Sequence, residues 1–577
     1  MLEAKTSFLD NAMRTKPLKV IRAEENSQDL PRSLSLFDLL CIGIGGTVGS
    51  GIFATTGVII SQTAGPAAVL SWVVGGLVCC INAFAYMELT TRVPSSGSTY
   101  AYAYHAIGEL PAVIGGWLLT LEYAVSGAGV ARSWAGKVES WLNEGSGNYH
   151  WLNEEYYNLL AAAVQALCVA ILLMGMRFGK MFINTVTVAK LVIVAFIIFA
   201  GFSFMSTDNL SPFIPERREI TLEDTKETKM AFGYQGVITG ASQAFFGYIG
   251  FDEVCCLAAE AKNPKKVMPL AVIGVVVGTM ILSVLSSLVL AGMVPGIGST
   301  DIVGSTDFSA GFNDVNRKWA AQIVHVGETV TMPVVVLIAF LAQPRLNYAM
   351  ACDGLLPQIF AKVDEKGNLY VNTMVTGAFF TAVAFFVPFS ALWDIVSFGI
   401  LLSFVMSNAS LLMIRTRDES PQLAPRLILA MTVLGAIAGF LYQVGYTNNE
   451  SDVCLYLAIV FAVAWLATTI VLAVKCPQKA NDPGNFSAPL VPFLPALSIL
   501  LDWYLIAQIS PLGLGLGCAW VGAAILSYLL YGYHNAVGRT GWSALMTYLP
   551  RNSSISCPML SMHDVKPSMS SLIKEHE

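Results

Sequence analysis

The feature that most constrains this chain is repetition. From about residue 36 to about residue 534, apolar runs follow one another, each roughly 20 residues long and so able to cross a hydrocarbon core roughly 30 Å thick. Composition agrees: 55% of the 577 residues are hydrophobic and only 12% are charged. A soluble domain carries roughly 25% charged residues, so most of this surface must face something other than water. The mean hydropathy is +0.61. These observations predict an all-α membrane protein.

The pattern predicts about fourteen spans. The first five cover 36–60, 66–90, 112–134, 157–176 and 183–205. The next five cover 237–259, 268–294, 320–344, 371–388 and 390–414, and the last four 425–446, 453–474, 489–509 and 513–533. Lys and Arg in alternate loops set the expected orientation. With the N-terminus inside, the inner loops hold Arg92, Arg177, Lys180, Lys262, Lys265, Lys266, Lys362, Lys366, Arg415, Arg417, Arg426, Lys475 and Lys479. An even number of spans then returns the C-terminus to the cytoplasm. The loop near 206–236 is the exception, with Arg217, Arg218, Lys226 and Lys229 among several acids. The first thirty-odd residues are polar and mixed in charge; they read as a soluble tail with no cleavable leader.

Other function classes lack their parts. A net charge of −6 offers no basic footprint for nucleic acid. The 11 cysteines lie mostly in apolar runs without a CxxC motif, so neither a disulfide framework nor a metal site is expected. No nucleotide-binding loop or catalytic triad is apparent, and His numbers only 6. The expectation is no enzyme, no cofactor and no metal.

Two spans carry interruptions that a simple anchor does not need. In Gly43–Phe53 of span one, five glycines fall within nine residues, and each costs a helix about 1 kcal/mol relative to Ala. Span six has Phe246-Gly247-Tyr248-Ile249-Gly250-Phe251-Asp252. If spans one to five repeat as six to ten, these are equivalent positions, and paired glycine-rich interruptions point to a transporter's binding site. Where a helix unwinds at membrane depth, its freed backbone groups need partners. The amides of Gly49, Ser50 and Gly51 would open a second half-helix, whose positive end favours a carboxylate. Carbonyls of Thr47, Val48, Phe246, Gly247 and Ile249 would receive an ammonium. The arrangement selects the α-amino-acid moiety and leaves the side chain to a neighbouring pocket.

These stretches also carry a resemblance. Gly43–Phe53, Leu121-Glu122-Tyr123, Phe246–Asp252 with Lys262-Asn263-Pro264, Pro344-Arg345 through Asp353-Gly354-Leu355-Leu356, and Pro489-Leu490-Val491-Pro492 with Leu494-Pro495 are found in this chain. Together they resemble the cationic amino acid transporter family of the amino acid–polyamine–organocation superfamily, over nearly all of 32–534. The resemblance implies a five-plus-five inverted-repeat core with discontinuous spans one and six. It implies substrate held between spans one, three, six and eight, alternating access, and a cargo of arginine, lysine, ornithine or other L-amino acids. The expected organisation is a cytoplasmic tail 1–35, a ten-helix core 36–414, four peripheral spans 415–534 and a cytoplasmic tail 535–577.

Polar residues within spans are expensive and mark function. Lys190 lies in the middle of span five, and burying an ammonium can link its protonation to conformation. Bacterial members of the family carry a lysine at this place, so the resemblance implies that Lys190 couples transport to protons. Glu122 in span three faces either the substrate pocket or a neighbouring helix. Asp252, Glu260 and Lys262 read as a gating or structural network; the family often has two adjacent acids where Ala259 precedes Glu260 here. Met332 in span eight, with Thr329 and Thr331 beside it, is expected to line the side-chain pocket. A bulky Met there favours smaller substrates.

The expected function is therefore a proton-coupled symporter of L-amino acids, cationic ones first, in the plasma membrane or an organelle membrane such as the vacuole. A neutral amino acid or polyamine carrier, or a non-transporting sensor of the same fold, remains the alternative. The expected partners are the amino acid, the proton and the lipid bilayer.

Overall fold

The structure is a computed structural model and describes residues 8–21, 32–95, 97–144, 157–174, 176–222, 228–248, 250–297, 302–304, 306–364, 368–479 and 484–539. Helices dominate it, as they must where hydrocarbon satisfies no backbone group. Each predicted stretch holds helix. Among the described residues, nine helical runs are long and apolar enough to cross a membrane. The first, Leu36–Arg92, carries spans one and two together. Three shorter apolar helices, Leu159–Leu173, Tyr370–Phe386 and Phe493–Ile506, accompany them.

Burial sorts these helices into a middle and a rim. In the apolar stretches of Glu109–Glu139 and Leu392–Thr416, 83% of residues are buried, against 22% in Asp452–Lys475 and Pro511–Asn535. Spans three and ten thus run through the interior, while spans twelve and fourteen stand outside it. The outward side chains at the rim are apolar: Val460, Val463, Val474, Leu526 and Leu530 are all exposed. An apolar belt of this extent suits lipid rather than water.

Three features depart from the sequence reading. The loop near 206–236 holds a small sheet, in which Arg218–Leu222 pairs antiparallel with Thr228–Ala231, Ile220 opposite Lys229. Its other edge pairs in parallel with Ile302–Val303, Thr221 opposite Ile302. The strands are too short for their alternation to stand out among the loop's charges. Span eight continues to Cys352 and is jointed between Lys318–Thr331 and Pro333–Cys352, because Pro333 cannot donate a backbone hydrogen bond. The N-terminal segment is not wholly a tail in water. Ala12, Val20 and Ile21 are buried, and Lys16 Nζ donates to Asp353 Oδ1 at 2.6 Å. Tyr100 Oη donates to the other oxygen of Asp353 at 2.6 Å.

Candidate functional site

The site begins with how span one is held. Ser35 and Asp38 form a capping box at its start: the Ser35 amide donates to Asp38 Oδ2 at 2.8 Å and the Asp38 amide to Ser35 Oγ at 3.3 Å. Span five then runs beside it as a ladder. Lys180 Nζ and Asn184 Nδ2 donate to Asp38 at 3.0 and 2.7 Å. Thr187 Oγ1 donates to the Cys41 carbonyl at 3.1 Å, and Lys190 Nζ to the Gly45 carbonyl at 2.9 Å. Residues 180, 184, 187 and 190 follow helical spacing and so share one face. The ladder ends at the place where span one changes form.

There the expectation needs refinement. Span one does not open into a loop; Leu36–Thr47 passes into widened π-type turns at Val48–Phe53 and resumes as Ala54–Ile59. Turns of this kind concentrate at functional sites, and the glycines let neighbouring helices approach them closely. A Cβ on Gly49 would collide with Val335 of span eight and stand 3.1 Å from Lys190 Nζ. Span six does break. Gly233–Ala244 tightens into a 3-10 turn at Phe245–Tyr248, and Phe251–Cys256 restarts after Gly250 at φ 135°.

The two interruptions meet. Gly51 and Gly247 touch backbone to backbone, so a Cβ on either would strike the other. Gly250 abuts the Gly43 carbonyl and Thr47. Thr47 Oγ1 is occupied elsewhere, donating to the Ile44 carbonyl at 3.0 Å and lying 2.7 Å from Thr279 Oγ1 of span seven. Val48 is fully buried. Ile249 lies outside the described residues, as do the side chains of Ser50 and Phe246.

Glu122 stands in another π-type segment, Leu121–Val125, which sequence reading missed. It is fully buried. Its polar neighbours are Asp252 of span six and Ser403 of span ten, yet neither carboxylate oxygen has a hydrogen bond of normal geometry among the described residues. Tyr123 Oη donates to Asp252 Oδ2 at 3.2 Å and lies 3.0 Å from Cys256 Sγ. Glu122 is thus brought to the restart of span six. Glu260 is paired with Arg345 of span eight, Nε to Oε1 at 2.5 Å, while the Lys262 amide donates to the Leu34 carbonyl at 2.8 Å.

Met332 is fully buried at the joint of span eight. Trp134 Nε1 of span three donates to the Thr329 carbonyl at 2.7 Å, and Thr331 Oγ1 to the Gly327 carbonyl at 2.8 Å. One turn before Met332, Glu328 accepts from Lys137 Nζ of span three at 2.6 Å. Sequence reading overlooked this pair. The signal was present, since Glu328 is an acid inside a predicted span, the same reason Glu122 and Lys190 were singled out.

The chain matches the amino acid permease family over residues 34–481 and the C-terminal segment of amino acid permeases over 486–536. It is 34% identical to the methylthioribose transporter of Bacillus subtilis, over 71% of this chain and 87% of that one. It is 30% identical to cationic amino acid transporter 1 of Arabidopsis thaliana, over 92% and 88%. It is 29% identical to cationic amino acid transporter 4 of Mus musculus, over 91% and 90%. The family consists of multi-pass membrane permeases, not enzymes. Two interlocked helix interruptions, a lysine ladder ending at one of them, and these matches converge: the chain belongs to the amino acid permease family, among the cationic amino acid transporters of the amino acid–polyamine–organocation superfamily.

Proposed function

We propose that this protein is a proton-coupled symporter of L-amino acids that works by alternating access. The observation that carries the reading is Lys190, whose Nζ bonds the Gly45 carbonyl at 2.9 Å and lies beside Gly49. A group that gains or loses a proton there changes how span five holds the widened turns of span one. The amino acid's carboxylate sits at Gly49, Ser50 and Gly51, its ammonium at carbonyls of Thr47, Val48, Phe246, Gly247 and Ile249, and its side chain towards Met332. Glu122 takes part from span three.

The architecture of this reading is fourteen spans: an inverted-repeat core, 36–414, and four peripheral spans, 415–534, with both tails cytoplasmic. The interior position of spans three and ten and the rim position of spans twelve and fourteen support it. The membrane is the plasma membrane, with a vacuolar or other organelle membrane as the alternative.

The cargo is cationic, as in the names of the plant and mouse relatives. One observation favours a second reading, small neutral amino acids: Met332 fills the joint of span eight, and Glu328 above it already holds a lysine. A panel of unlabelled amino acids, polyamines and methylthioribose competing with labelled arginine and alanine in proteoliposomes decides between them. Arginine and lysine as the strongest competitors support the first reading. Competition by alanine and serine alone replaces it with the second, and competition by none of the amino acids contradicts both.

A further inference from the structure

Spans three and eight and the loop between spans seven and eight meet at one largely enclosed lysine, its side chain 12% exposed. Lys137 Nζ donates to Glu328 Oε2 at 2.6 Å and to Asp307 Oδ2 at 3.4 Å. Glu328 is 1% exposed, and its other oxygen, Oε1, has no hydrogen-bond partner among the described residues. A buried carboxylate satisfied on one side only is costly, and a second donor would be welcome there.

Glu328 lies one turn before Met332 and seven residues before Val335, the residue packed against Gly49. Seven residues at helical rise, counted across the joint at Met332, span roughly 10 Å, about the reach of an extended arginine and a little beyond that of a lysine. A substrate whose carboxylate is held at Gly49–Gly51 therefore brings its charged end to the level of Glu328, where the Lys137 ammonium already stands.

We propose that Glu328 is the subsite for the charged end of a cationic amino acid, and that Lys137 is a resident cation competing for it. The proposal rests on the substrate reading given above. A neutral amino acid leaves the Lys137–Glu328 pair intact. A cationic one must displace Lys137 or share the carboxylate with it, against like-charge repulsion. The pair thus sets the preference between the two substrate classes. It also ties that choice to the outer loop, because Asp307 caps the helix Phe308–Asp314, its Oδ1 accepting from the Ala310 amide at 2.8 Å. This loop lies on the second half of span one: Phe308 meets Phe53 edge to face at 6.4 Å, and the Thr306 carbonyl abuts Gly57. Displacing Lys137 from Glu328 alters the contact that holds the loop in place.

The test is the ratio of kcat/KM for arginine to that for alanine, measured in proteoliposomes for wild type, Lys137→Met, Glu328→Gln and the double variant. Lys137→Met is expected to raise the ratio at least tenfold. Glu328→Gln and the double variant, both without the carboxylate, are expected to lower it several-fold below the wild-type ratio. Removing one partner of a buried pair endangers folding; the double variant, in which both charges leave together, carries the test if a single one fails to fold. Alanine uptake with the same ratio in every folded variant overturns this proposal alone. A wild type that moves neither amino acid overturns it together with the reading it rests on.

Discussion

Lys190 Nζ donates to the carbonyl of Gly45 at 2.9 Å, across from span five to the last α-helical turn of span one. Below this contact, Lys180, Asn184 and Thr187 hold the same helix at Asp38 and Cys41. Above it, span one widens at Val48–Phe53. The lysine is therefore the uppermost rung of a ladder whose next position is Gly49, where the substrate carboxylate is proposed to sit.

The closeness of the helices at the glycines makes them intolerant of side chains. Gly51→Ala drives a methyl into the backbone of Gly247, and overpacking of this kind costs about 1–3 kcal/mol. Gly49→Val meets Val335 and crowds Lys190. Both variants are expected to lose amino acid binding while remaining in the membrane, as read by isothermal titration of purified protein. Binding retained with wild-type affinity in Gly49→Val would reduce the span-one turns to a packing device.

At the opposite side of the glycine turns from Glu328, Arg345 and Glu260 join span eight to the segment following span six. Both are nearly buried, their side chains 7% and 4% exposed. Removing one partner of such a pair leaves a lone buried charge, at a cost of about 3–5 kcal/mol. Arg345→Leu is expected to lower the thermal unfolding midpoint in detergent, and Arg345→Leu with Glu260→Leu to recover most of the loss. A double variant as unstable as the single one would mean that the guanidinium acts through its bond to the Leu341 carbonyl instead.

Asp307 bears on where pH acts. Burial alone would raise its carboxyl, but the Lys137 ammonium and the Ala310 amide outweigh burial and hold it below the usual carboxylate range. A depressed carboxyl contributes its stabilisation above its ordinary value and loses it only as pH falls through the lowered one. The contact with Lys137 therefore persists across about pH 5 to 8, the window in which a proton gradient would be imposed. Asp307→Asn is expected to leave the shape of the pH profile of uptake unaltered in that window, whatever it does to the rate. A profile displaced by a full pH unit would move the proposed proton-sensitive group from span five to the loop between spans seven and eight.

Much of this arrangement was legible because its signals are local. Glycine density marked Gly43–Phe53, and an ammonium in an apolar run marked Lys190, without any knowledge of neighbours. The form of the span-one interruption was not legible, because glycine permits both a loop and a widened turn, and contact with Gly247 and Val335 decides between them. The segment around Glu122 carries no Gly or Pro to betray its π-type turn. Lys137 is 170 residues from Asp307 and 191 from Glu328, so only the folded chain brings it to them. The face of span five at 180, 184, 187 and 190 lay within reach of a polar periodicity count, which the flanking apolar residues obscured.

Proton coupling through Lys190 is measured by the accumulation of a labelled amino acid in proteoliposomes under an imposed inward proton gradient, for wild type and Lys190→Ala side by side. Wild type is expected to concentrate the amino acid above the external level, and dissipating the gradient to abolish this. Lys190→Ala should bind the amino acid yet bring it only to equilibrium. Wild-type uptake indifferent to the gradient, or accumulation by Lys190→Ala with unchanged pH dependence, would contradict such coupling.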